Sequence, residues 1–251
     1  MWRLETDAAV PCWRPESPPD GVTLAFTTRR GGVSEGEFAS LNLGGSSGDR
    51  EAAVHENRRR TLAALGLAAG GLATAGLVHG AEVAAVDGPG HSRDCDALLT
   101  RAPGVVLTVT TADCLPLILT APGTVAAAHC GWRGTAAGLP GRVLIAVCAA
   151  AGATPREVRA HIGPCIRPCC YEVGPEVAGR FPASVGHRTG DRHRLDLAAA
   201  ARLQLLESGV PPEAIFDTAA CTCCSPGWYF SHRRDGSRYG RHWALAAMSR
   251  G

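Results

Sequence analysis

The apolar positions along the chain fall into two kinds of run. In "TADCLPLILTAPGTVAAAHCGWRG" two continuous apolar stretches flank a Pro-Gly pair. Short apolar runs bounded by turn residues predict buried strands, here a hairpin turning in "TAPGT". "VTLAFTTRRGG", "CDALLT" and "EVRAHIGPCI" predict further strands, and "ATAGLVHGAEVAAVD" two short ones broken at Gly80. "REAAVHENRRRTLAALGL" and "LDLAAAARLQLLESGV" instead space their apolar residues for helices, the second closed by Gly209. "GTAAGLPGRVLIAVCAAAGA" predicts a helix starting just after the His129 strand. "WYFSHRRDGSRYGRHWALAAM" predicts a hairpin about "RDGSRYG", and residues 1–21 an irregular N-terminal lead-in. Strands and helices mix without a regular β-α-β alternation. That pattern predicts an α+β fold of packed mixed sheets with helices outside, in one catalytic domain over 1–251.

Composition narrows the function classes. The chain has 251 residues and a net charge of +2, so nothing points to a nucleic-acid or membrane surface. No apolar run approaches a membrane span, and the N-terminus lacks a signal-peptide pattern, which makes the cytoplasm the expected location. All 25 basic residues are Arg. No lysine is therefore present to form a Schiff base or bind phosphate. Eleven cysteines in a reducing compartment are read mostly as small buried apolar residues.

Candidate chemistry gathers at the hairpin. If its strands pair across "TAPGT", Cys114 and His129 come almost opposite each other, about 4.5–5.5 Å apart at Cα. That suits two ligands of one metal, or a thiol and its base. His79, at a strand end before Gly80, completes a Cys/His/His set with the ligand types and count of a catalytic zinc. Asp113 could orient a ligand or take a proton. Arg29 and Arg30, beside a Gly-Gly turn, are candidates for phosphate or substrate. Asn42 is a candidate for ribose or base contact, and Arg133, at a helix start, for an anion. Cys221 and Cys224 have the C-x-x-C spacing of a metal hook. No second pair with ribbon spacing accompanies them, so buried thiols are the favoured reading.

"TTRRGGVSEGEFASLNLG", "LVHGAEV", "TADCLPLIL", "AAHCGWRGTAAGL", "IGPCIRPCCYEVGPEV" and "SHRRDGSRYGR" occur in an order that resembles the laccase-domain, or polyphenol oxidoreductase, family. Its members are now read as purine nucleoside phosphorylases with adenosine deaminase activity, some being described as peptidoglycan editing factors. The resemblance implies a single-domain four-layer αββα sandwich and zinc on His79, Cys114 and His129. It also implies phosphate and nucleosides such as adenosine, inosine and methylthioadenosine as small-molecule partners. Arg29 and Arg30 gain weight as phosphate ligands from it. Two positions depart from the family pattern: Leu77 stands where Gln is usual and Cys130 where Ala is usual. On a strand Cys130 faces away from His129 and is read as core. Two rival chemistries remain. One is a Cys114–His129 hydrolase or amidase acting on peptidoglycan precursors, since the sandwich resembles that of a toxin deamidase with a Cys/His pair. The other is copper (Cu2+) oxidation of polyphenols, which nine scattered histidines support poorly.

Overall fold

The computed structural model describes residues 1–249, without the side chain of Thr189. In chain order its strands are β1 (Trp2–Glu5), β2 (Cys12–Pro15), β3 (Val22–Thr27), β4 (Leu72–Ala75), β5 (Val83–Ala85), β6 (Gly90–Ser92), β7 (Ala97–Thr100) and β8 (Val106–Thr111). These are followed by β9 (Leu115–Ala121), β10 (Thr124–Cys130), β11 (Arg159–Ile162), β12 (Glu172–Val173), β13 (Gly186–Thr189), β14 (Arg192–Leu195), β15 (Ile215–Asp217) and β16 (His242–Met248). The helices are α1 (Glu51–Ala64), α2 (Trp132–Ala136), α3 (Leu139–Ala151), α4 (Pro175–Ala178), α5 (Leu197–Glu207) and α6 (His232–Asp235).

Two mixed sheets dominate. One runs β1-β2-β3-β16-β8-β4-β6 and the other β15-β11-β9-β10-β7-β5, with a small β12-β14-β13 sheet at the side. Side-chain alternation along the strands builds three apolar layers. Leu115, Leu117 and Leu119 of β9, with Ala126, Ala128 and Cys130 of β10, pack under α3 and α5. The opposite face of that sheet, Ile118, Val125 and Ala127, meets Leu24, Phe26, Leu107 and Val109 of the first sheet. The outer face of the first sheet, with Val106, Trp243 and Leu245, packs against Leu62 of α1. The order is helix, sheet, sheet, helix, as the resemblance implied. Strands β9 and β10 are apolar on both faces because the second sheet is covered on both sides.

Three expectations are corrected. Residues 1–21 are not irregular: Trp2 is buried in the inter-sheet layer, and Cys12 of β2 pairs with Thr27 of β3. The segment "RDGSRYG" does not turn a hairpin. Ser231 Oγ accepts the Arg234 N–H and the Ser231 N–H donates to Asp235 Oδ2, which caps a single helical turn. Strand β16 then pairs with β3 and β8. The helix expected after His129 is split into α2 and α3 at Gly138, whose φ is 81°.

Candidate metal centre and substrate cavity

The Pro122-Gly123 turn sets the register of the β9–β10 hairpin. Ala121 pairs with Thr124 and His129 with Pro116. Cys114 therefore lies two residues beyond His129's partner, not directly opposite it. A shift of two preserves the face, so Cys114 and His129 still point the same way. Cys130 pairs with Leu115 and is fully buried under the helices, on the face expected of it.

His79 arrives from the loop between β4 and β5. Its Nε2 or Nδ1, the Cys114 Sγ and a His129 ring nitrogen all lie within 4.8 Å of one another. The His79 and His129 rings meet edge-on at 88°, with centroids 4.9 Å apart. Gly131 forms the floor beneath them. A Cβ there would fall 3.2 Å from His79 Cδ2 and 3.3 Å from Cys114 Sγ. The sequence "H-x-G" thus supplies a candidate ligand and then the space for two others.

Asp96, just before β7, organises this cluster and was not foreseen from the sequence. Its fully buried carboxylate accepts the backbone N–H groups of Val78, His79 and Gly80 at 3.1, 3.0 and 2.7 Å. Its Oδ1 also lies 2.8 Å from His129 Nδ1. This fixes the ring so that Nε2 faces the cluster, the carboxylate–histidine arrangement that orients metal ligands. The three N–H groups converge because Leu77 and His79 adopt positive φ, 53° and 59°. Only the β7–β10 pairing of Ala97 with Ala128 brings Asp96 to His129, and no local motif announces it. Burial disfavours the Asp96 charge, but the His129 ring and the Gly80 and His79 N–H groups outweigh it and lower its pKa.

Burial likewise opposes the Cys114 thiolate. The His129 charge and hydrogen bonds from His129 and His79 prevail and bring the thiol down to about 6. Burial opposes charge on His129 too, but Cys114 and Asp96 push it up to about 9. A deprotonated thiol facing two imidazoles, with Asp96 behind, fits a soft divalent cation.

Asp113, φ 85°, precedes Cys114. Its Oδ1 accepts Thr222 Oγ1 at 2.6 Å, and its Oδ2 accepts Ser231 Oγ at 2.9 Å and the Arg233 N–H at 2.7 Å. Both oxygens are engaged, so Asp113 has the geometry of a residue that positions Cys114 rather than one that takes a proton.

Two cavities adjoin the cluster and share His79, His129 and Arg241. One, about 420 Å³, is walled by Trp132, Ile166, Tyr171 and Tyr239, with Arg133 and Arg233 at its rim. The other, about 550 Å³, is lined by Gly45, Ser46, Arg58, Thr74 and Thr108. Arg133 thus reaches the site, its guanidinium stacked 4.3 Å over Trp132.

Arg29, Arg30 and Asn42 do not line either of these two cavities. Arg29 donates to the Ala39 and Pro226 carbonyls and lies 4.4 Å over Phe230. Arg30 donates to the Gly227 carbonyl and stacks on Trp228. Asn42 is fully buried; its amide donates to Ser47 and Asp49, and its Oδ1 accepts the N–H groups of Gly44 and Arg241. These residues brace loops, and Asn42 sets the position of Arg241. Leu77 lines the larger cavity.

A mixed α+β sandwich with a Cys/His/His cluster at the mouth of its sheets, flanked by arginine-rimmed cavities, has the form of a small-molecule enzyme of metal-site type. The chain belongs to the family described as multi-copper polyphenol oxidoreductase laccase, which matches residues 23–249. It is 42% identical over 241 residues to a purine nucleoside phosphorylase of Deinococcus radiodurans, covering 93% of this chain and 92% of that one. The purine nucleoside phosphorylase YfiH of Escherichia coli is 40% identical over 239 residues, 90% of this chain and 93% of the relative. The crystal structure of YlmD from Geobacillus stearothermophilus superposes with a TM-score of 0.93 at 34% identity, covering 100% of this chain and 99% of that one.

Proposed function

We propose that the protein is a zinc-dependent purine nucleoside phosphorylase that also deaminates adenosine, with adenosine, inosine and methylthioadenosine as substrates. The observation that carries this reading is the juxtaposition of three metal-type ligands with an aromatic cavity and guanidinium groups that are in no ion pair among the described residues. Zinc on His79, Cys114 and His129 would supply Lewis acidity. Trp132 and Tyr171, which wall the smaller cavity, offer aromatic surface for the purine. Phosphate is held by Arg133, Arg233 and Arg241, the arginines that reach the cavity shared with the cluster. In phosphorolysis a phosphate oxygen bonds to C1′, the C1′–N9 bond breaks, and its electron pair leaves with the purine, which takes a proton. The arginines neutralise phosphate and hold it in line with the glycosidic bond. In deamination water adds at C6 and ammonia leaves, giving inosine from adenosine. The buried end of the site, with Asp96 and Asp113 behind the ligands, keeps their geometry fixed. The names of the relatives in Deinococcus radiodurans and Escherichia coli support the phosphorylase part of the reading.

A second reading draws on one observation, the Cys114 Sγ within 4.8 Å of a His129 ring nitrogen. That pair could act as nucleophile and base of an amidase. Copper oxidation finds less support: among the described residues one metal-type cluster contains histidine, and it holds two. Zinc content and nucleoside cleavage measured on the same preparations separate the readings. Cys114→Ser and His129→Ala should each lose zinc and activity, while Cys130→Ala keeps both. Full activity in metal-free wild type would remove zinc from the account and favour the nucleophilic thiol.

A further inference from the structure

A second cluster of four cysteines stands apart from the site. Cys169 and Cys170 come from the loop after β11, and Cys221 and Cys224 from the loop after β15. Their four Sγ atoms lie within 4.8 Å of one another. Cys224 Sγ is 3.4 Å from Cys169 Sγ and 3.2 Å from Cys170 Sγ. The C-x-x-C of Cys221 and Cys224 thus finds its partners in a vicinal pair, a spacing that does not resemble a ribbon knuckle. That is why the sequence favoured buried thiols here.

We propose that Cys169, Cys170, Cys221 and Cys224 bind one structural zinc ion, separate from the His79–Cys114–His129 cluster. A tetrahedral zinc with Zn–S bonds of about 2.3 Å puts its sulfurs about 3.8 Å apart, and this cluster is already near that size. No described Sγ pair in it stands out as an exclusive couple, because Cys224 approaches two thiols equally.

The backbone N–H groups of Cys224 and Arg167 point at the Cys221 sulfur. Backbone N–H to sulfur bonds of this kind stabilise a thiolate ligand. Positive charge lies close to the cluster. Four thiolates on a divalent ion leave a net charge of −2. Arg194 donates to the Pro168 and Cys169 carbonyls and Arg233 to the Cys170 carbonyl. Among the described residues neither guanidinium is in an ion pair. The two loops are stitched together before any ion binds: the Thr222 N–H donates to the Cys165 carbonyl and the Cys165 N–H to that of Ala220. Arg234 holds the Thr222 and Cys223 carbonyls. The geometry is therefore held by contacts that do not involve the ion, which lowers the ordering cost of binding it.

The ion's place in the fold gives it a consequence. Thr222, between two of the ligands, donates to Asp113, and Tyr171, beside Cys170, walls the smaller cavity. The zinc would fix one wall of the substrate site without touching the reaction.

The test is a zinc count on protein purified under reducing conditions without added metal, with alkylation of native protein mapped by mass spectrometry. Two zinc ions per chain are expected, with the exposed Cys169 and Cys224 protected from iodoacetamide until a chelator is added. Cys169→Ser/Cys224→Ser should bind one zinc fewer, and Cys114→Ser should lose the other one. If the double variant does not fold, the wild-type alkylation pattern decides alone. Ready alkylation of Cys169 and Cys224 in zinc-loaded protein would overturn the proposal. So would a disulfide among the four that persists when zinc is supplied under reducing conditions. Should the His79 cluster hold no zinc, one ion would remain and Cys169 and Cys224 would still be protected, so the two sites fail independently.

Discussion

Replacing Asp96 by Asn would leave one carbonyl oxygen where four donors now converge, and would turn an amide N–H₂ toward some of them. Asp96→Asn should fold, yet weaken metal binding by about 10–100-fold, measured by competition with a chromogenic chelator. Unchanged affinity would mean that the His79 loop holds its shape without the carboxylate. The arginines give the opposite lesson. Arg29 and Arg30 were singled out because a guanidinium beside a glycine turn can hold an anion, but both point at loop carbonyls, those of Ala39, Pro226 and Gly227, and at aromatic rings rather than into either cavity beside the cluster. Arg133→Ala or Arg241→Ala should raise the KM for phosphate about tenfold, as expected for the loss of a charged hydrogen bond. Arg29→Ala should lower thermal stability and leave that KM unchanged; a raised phosphate KM for Arg29→Ala would restore it to the site.

At the level of elements, the β9–β10 hairpin was legible from a Pro-Gly turn and two apolar runs. Its register was not: the turn at Pro122-Gly123 sets Ala121 opposite Thr124, which puts Pro116 opposite His129 and Cys114 two residues further on. An even offset keeps Cys114 on the His129 face. The C-terminal segment was misread for a different reason: capping by Ser231 and Asp235 is a local side-chain contest that apolar periodicity does not register. The short helix α2 shows what the glycines of "GWRG" are for. A Cβ at Gly134 would lie 2.5 Å from the Gly80 carbonyl oxygen, so α2 presses on the loop that carries His79. Gly134→Ala should cost about 1–3 kcal/mol by overpacking and displace that loop. Denaturant unfolding with zinc counting checks both effects; a variant as stable as wild type with full zinc would show that the contact yields freely.

Across the whole molecule, packed mixed sheets with helices outside were legible in the pattern, and the four layers through the family resemblance, whereas the contacts joining distant segments were not. Asp96 with His129, Asp113 with Thr222, and the paired cysteine loops all depend on which strands are neighbours. Long-range burial also gives the fold a pH dependence. His161 sits between the sheets, accepting from Trp2 Nε1 at 3.2 Å, and burial drops its pKa from 6.5 to about 3. His242 accepts the Phe230 N–H at 2.9 Å, and burial again drops it to about 3. The native state keeps both neutral, while the unfolded chain takes up protons below about 6.5. Their contribution is therefore complete above pH 6.5 and is lost progressively as the pH falls toward 3. The urea midpoint should drop between pH 7 and 5, and His161→Gln should flatten that slope. An equal slope in the variant would assign the acid sensitivity to other groups.

The central claim is that the cluster of His79, Cys114 and His129 serves a phosphate-dependent cleavage of purine nucleosides. Incubating inosine with zinc-replete wild-type protein, with and without phosphate, and measuring free hypoxanthine and ribose 1-phosphate tests it most directly. The account predicts equal amounts of both products, formed only when phosphate is present and absent from Cys114→Ser. Hypoxanthine released without phosphate, or no cleavage by protein carrying its full zinc, would contradict it.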